Sequence, residues 1–106
     1  MERSKAIVRE VKRGPCKGQI EILFPQEPAD YDGMFCTVYA FVGQHGAADY
    51  HHVMSQTRPA PPMEARRALR RYESGLPAEF RGTHILVSRA TWADHKKRRE
   101  AARNFK

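Results

Sequence analysis

The sequence predicts an α+β fold, an antiparallel β-meander of about four to five strands packed by one amphipathic helix, with a basic C-terminal helix or tail. Three observations carry this reading. Residues 35–42 (Phe-Cys-Thr-Val-Tyr-Ala-Phe-Val) are apolar on both faces and rich in aromatic and β-branched types, as a central strand requires. Residues 63–73 place Ala65, Ala68, Leu69 and Tyr72 at i, i+3, i+4 and i+7, one narrow apolar stripe on a charged helix. Glycine- and proline-rich connectors separate alternating segments ahead of that helix.

Residues 4–12 fit either a helical stripe or an imperfect alternation. A strand is chosen because the turn-rich Gly14-Pro15-Cys16-Lys17-Gly18 leads at once into the alternating residues 19–24, which makes a hairpin. Pro25 and Pro28 then stop the strand, and residues 25–33 form an acidic loop with Glu27, Asp30 and Asp32. After the central strand, residues 43–49 read as a loop because of their two glycines, and residues 50–57 as a partner strand. Pro59-Ala60-Pro61-Pro62 delivers the chain into the amphipathic helix, which Gly75 and Pro77 end.

Residues 84–88 form a short apolar strand, and Thr91-Trp92-Ala93-Asp94 resembles a capping-box start with Asp in the third helical position. In the helix that follows, Trp92, Ala93, Ala101, Ala102 and Phe105 scatter around the axis. Without a coherent apolar stripe it is expected to project or fray. The domain is therefore drawn at residues 1–91, with residues 92–106 as a basic helix or tail whose removal leaves a cooperative transition.

A chain of 106 residues, 41% hydrophobic and 29% charged, is long enough for one modest core. Its longest apolar run is too short to span a bilayer and its first residues lack a signal peptide's apolar segment, so a cytoplasmic protein without membrane association is expected. The two cysteines, Cys16 and Cys36, have no metal-ligand spacing, and Cys36 reads as a buried hydrophobe.

The net charge of +7 is unevenly placed. Residues 1–62 carry seven basic and seven acidic side chains, so the whole excess lies in the last 44 residues. A neutral scaffold with a cationic part points to a polyanionic partner, and nucleic acid is the commonest one in a cytoplasm. Arg66, Arg67, Arg70 and Arg71 fall on one arc of the amphipathic helix, opposite its apolar stripe, where guanidinium forks match phosphate geometry. Glu64 and Glu73 are spaced to pair with Arg67 and Arg70, which still leaves a cationic surplus. Lys96, Lys97, Arg98, Arg99 and Arg103 form the second candidate surface, a basic arm of the kind that contacts phosphates without reading sequence.

Other chemistries find less support. His45, His51, His52, His84 and His95 show no metal-binding spacing, and Asp30-Tyr31-Asp32-Gly33 lacks the remaining ligands of a calcium loop, so no metal is expected. Phe35, Tyr39 and Phe41 share one strand face and read as core ahead of a base-stacking platform. No phosphate loop, dinucleotide fingerprint or nucleophile elbow occurs, and no cofactor is expected. The first expectation is thus a small basic nucleic-acid-binding protein, DNA and RNA not distinguished, rather than an enzyme. The alternatives are a module that docks its acidic loop and arginine face on a protein partner, and a small nuclease using His52 or His84 beside an arginine.

Overall fold

The computed structural model describes residues 4–40, 44–75, 85–87 and 89–103. Readings made at Phe41, Val42, Gly43, Pro77, His84, Ser88 and Phe105 lie outside the described residues. The elements run β1 (Ser4–Val11), β2 (Ile20–Pro28), β3 (Phe35–Ala40), β4 (Gln44–Asp49), α1 (Tyr50–Gln56), β5 (Thr57–Pro59), α2 (Pro62–Ser74), β6 (Ile85–Val87) and α3 (Trp92–Arg103). The sheet order is β4-β3-β2-β1-β5, antiparallel throughout, and β6 pairs in parallel with the Ser4 end of β1. The α+β class and the antiparallel meander packed by α2 are therefore as the sequence predicts.

The alternation of β1 and β2 sorts their side chains onto two apolar faces. Ala6, Val8, Ile20, Ile22 and Phe24 point to one side, where Tyr72 of α2 closes the core with Ala65, Ala68 and Leu69 beside it. The Tyr72 ring stands edge-on to Tyr39, centroids 4.8 Å apart, and 5.6 Å from Phe24, so Tyr39 belongs to the core. Leu69 is only half-buried. Leu69→Ala is accordingly expected to cost about 2 kcal/mol, the lower end for core truncations. A urea titration showing a loss within about 0.5 kcal/mol, the surface range, would place this stripe off the core.

The opposite face carries Ile7, Leu23, Cys36 and Val38, covered by Tyr50 and Val53 of α1. Burial pushes the Cys36 thiol up to about 11, so it stays protonated and serves as a small apolar side chain. Two segments here differ from expectation. Residues 44–49 are a strand rather than a loop, because β4 is recruited by a continuous ladder to β3 from Phe35↔Asp49 to Ala40↔Gln44. Residues 50–56 are a helix rather than a strand, because Asp49 Oδ1 accepts from His52 N at 3.1 Å and caps the first turn. The proline stop is also later than expected. Strand β2 passes Pro25 through an irregularity between Phe24 and Pro28 and ends at Pro28.

The largest departure is α3, which lies on the Leu23 face of the sheet, packed mainly against β2, instead of projecting. Its buried residues are Asp94, Arg98 and Ala102, spaced i, i+4, i+8, so the helix does have a single inward stripe. That stripe is polar at two of its three positions. Asp94 accepts from Lys5 Nζ at 2.7 and 2.9 Å and from Gln26 Nε2 at 3.0 Å. Arg98 donates through Nη1 to the Pro25 carbonyl at 2.8 Å and through Nε to the Gly33 carbonyl, and its guanidinium lies 4.3 Å over the Tyr50 ring. The Pro25 carbonyl sits in the irregular stretch of β2, and Arg98 satisfies it. Gly33 has φ +72°, and a Cβ there would lie 2.9 Å from Arg99 Cα and 3.2 Å from Ala102 Cβ, so only glycine lets the helix backbone seat on this turn.

Candidate nucleic-acid interface

Helix α2 is held by one stripe, and this fixes what its other faces present. Arg66, Arg67, Arg70 and Arg71 are all exposed. Among the described residues, Arg66, Arg67 and Arg70 make no ion pair, and the Glu64–Arg67 and Glu73–Arg70 pairs permitted by spacing do not form. The four arginines divide into two rails. Arg67 and Arg71 border a cleft of about 200 Å³ between α2 and the sheet, shared with Glu64 and Ala68 and floored by Ile20, Ile22 and Tyr39. Arg66 and Arg70 are not part of that lining.

The second predicted surface is redrawn by the docking of α3. Lys96, Lys97, Arg99 and Arg103 are exposed, but Arg98 is wholly buried and fully engaged, so it is withdrawn as a phosphate contact. Its physical reason is the i+4 spacing from Asp94, which turns Arg98 inward with the anchoring carboxylate. Helices α2 and α3 cover opposite faces of the sheet. The two basic surfaces predicted together are thus not brought together.

Asp94 is expected from the sequence only as a capping residue, and its anchoring of α3 to Lys5 and Gln26 is what the sequence reading missed most plainly. Besides anchoring α3, its Oδ2 accepts from Thr91 N at 2.8 Å, which is the reciprocal half of a capping box. Burial alone would raise its pKa, but the hydrogen bonds from Lys5, Thr91 and Gln26 outweigh it and hold the carboxyl below its ordinary value. His95 has the opposite relation to its neighbours. Arg98 Nη2 bonds its Nδ1, and since a guanidinium can only donate, that nitrogen is unprotonated. Burial, then the charges of Arg98, His51 and Arg99, lower the His95 pKa.

Both shifts predict acid sensitivity. A depressed folded-state pKa stabilises the fold above the unfolded-state value and withdraws that stability as pH falls. Loss is expected to begin below about pH 6.5 as His95 gains a proton against Arg98, and to deepen below about pH 4 as Asp94 protonates. Thermal melts across this range check it, and His95→Gln should remove the first step. Melts flat from neutral to about pH 5 would contradict the role given to His95.

The remaining candidate groups are dispersed. The His51 and His95 rings stand 4.9 Å apart at the junction of α1 and α3, but among the described residues no three His, Cys, Asp or Glu side chains converge as a metal site would require. His52 borders a separate depression with Arg13, Cys16 and Glu21, and burial raises the Glu21 pKa. No described helix is long and apolar enough to cross a membrane. Comparison of the chain with protein-family models, curated proteins and solved structures finds no match.

Proposed function

We propose that this protein binds nucleic acid, DNA or RNA, through phosphate contacts made by Arg66, Arg67, Arg70 and Arg71. The observation that carries the reading is the arc itself: four exposed arginines on a helix anchored by its other side, three of them without an ion pair among the described residues. Guanidinium groups held on a rigid helix meet phosphate oxygens with less ordering cost than a flexible arm does. A cytoplasmic setting belongs to this reading, since nucleic acid is the dominant polyanion there. Lys96, Lys97, Arg99 and Arg103 form a separate, secondary surface, because a straight duplex lies against one face of the sheet at a time.

The test is the salt dependence of binding, followed by fluorescence anisotropy with labelled DNA and RNA. Replacing the four α2 arginines by Gln should flatten log K against log salt by roughly 0.9 per lost contact on duplex DNA and roughly 0.7 on single strands. Affinity should fall for all sequences alike, because backbone contacts position without reading bases. The same replacement at Lys96, Lys97, Arg99 and Arg103 should leave the slope nearly unchanged at and above about 0.1 M ionic strength, where the Debye length is shorter than the distance between the two surfaces. Absence of salt-sensitive binding by the wild type would overturn the reading in favour of a protein-docking module.

A further inference from the structure

The α2 cleft has a composition that phosphate contacts alone do not call for. Ile20, Ile22 and the ring of Tyr39 give the floor an apolar surface that a phosphate does not need, and the Glu64 carboxylate on the rim repels one. Glu64 and Arg67 are helix neighbours at i, i+3, close enough to pair, yet each makes no ion pair or hydrogen bond among the described residues. An acceptor and a donor are thus presented side by side over an apolar surface. The floor is rigid, since Tyr39 is braced edge-on by Tyr72 and backed by Ile20 and Ile22, which are buried in the core and leave the Tyr39 ring as the surface a ligand meets.

A ligand that meets all three features has a flat apolar body, an amino group at its edge and an anionic group beside it. A nucleotide with an amino-bearing base is such a molecule. The volume of about 200 Å³ is below the range for a drug-sized ligand, so it admits one ring system. A base inside a duplex is excluded, because both its faces are stacked and its pairing edge is occupied. We propose that this cleft receives one unpaired nucleotide of a single strand, with its base against the Tyr39 ring, its amino group donating to Glu64 and its phosphate on Arg67. This rests on the nucleic-acid reading above and narrows it to single strands.

The discriminating experiment compares short oligo(dC), oligo(dT) and a mixed-sequence duplex of equal length, bound to the intact protein at low ionic strength. Cytosine offers an N4 amino donor where thymine offers a carbonyl acceptor. Oligo(dC) is expected to bind about tenfold more tightly than oligo(dT), and both more tightly than the duplex. Glu64→Ala should bring the dC to dT ratio to about one while keeping the salt slope, and Arg67→Gln should weaken both strands and keep the ratio. The ratio is internal to each variant, so partial unfolding does not imitate the result. Equal binding of duplex and single strands, or a ratio unmoved by Glu64→Ala, would overturn the cleft assignment and leave the phosphate reading standing. No salt-sensitive binding of any of the three would overturn both.

Discussion

Removing residues 92–106 is expected to abolish the cooperative thermal transition. The apolar scatter of that segment points to a dispensable tail, but the docking of α3 reverses the expectation. Without it, the Tyr50 ring loses the guanidinium that lies over it, Lys5 loses the carboxylate it is buried against, and the Pro25 and Gly33 carbonyls lose their donor. A domain of this size has about 5 to 15 kcal/mol of net stability, and the loss of a buried ion pair, two charged hydrogen bonds and a packed layer is of the same order. Circular dichroism melts of the truncated chain check this. A sharp transition within a few degrees of the full chain would show that α3 contributes nothing to the core.

Arg98→Ala should lower stability by about 3 to 5 kcal/mol, the largest effect expected of any single substitution in α3. The guanidinium serves two backbone carbonyls and lies over Tyr50 at once, and alanine leaves both acceptors buried beside a void. Arg98→Lys separates charge from geometry. One ammonium cannot reach both carbonyls and cover the ring, so Lys should recover less than half of the loss. Guanidinium chloride titrations of the three proteins give the comparison. A cost below about 1 kcal/mol for Arg98→Ala would mean that water replaces the side chain without penalty. Neighbouring Arg99 and Lys97 provide the contrast, since both are exposed and their alanine variants should stay within about 0.5 kcal/mol of the wild type.

Much of the fold was legible because its determinants are local. The alternation of β1 and β2, the two-faced apolar run of β3 and the stripe of α2 each follow from a period that backbone geometry imposes. The acid at the third position of α3 likewise announced a helix start that formed. Residues 44–56 were misread because β4 is built of Gly46, Ala47 and Ala48, whose strand preference is weak and is overridden by pairing with β3. Helix α1 hides in a stretch whose cap, Asp49, follows no apolar pattern long enough to signal a helix. The docking of α3 was missed for a different reason. A search for buried stripes weighs apolar residues, whereas this stripe is Asp94, Arg98 and Ala102, and its partners Lys5, Gln26, Pro25 and Gly33 are far away in sequence. The arginine arc was legible as a face of α2, but its division into a cleft-lining rail and an outer rail depends on Ile20, Ile22 and Tyr39, which only the folded sheet brings beneath it.

The placement of α2 and α3 on opposite faces has an electrostatic corollary. With a sheet between them, the two helix axes are roughly 20 Å apart, one helix-to-sheet spacing on either side. The Debye length is about 10 Å at 0.1 M ionic strength and about 30 Å at 0.01 M. Near physiological salt each cationic surface is therefore blind to the other, and substitutions on the two should add without coupling. In dilute buffer the two fields merge into a single positive body, and charges on α3 would then strengthen the attraction of any anion brought to α2 without touching it.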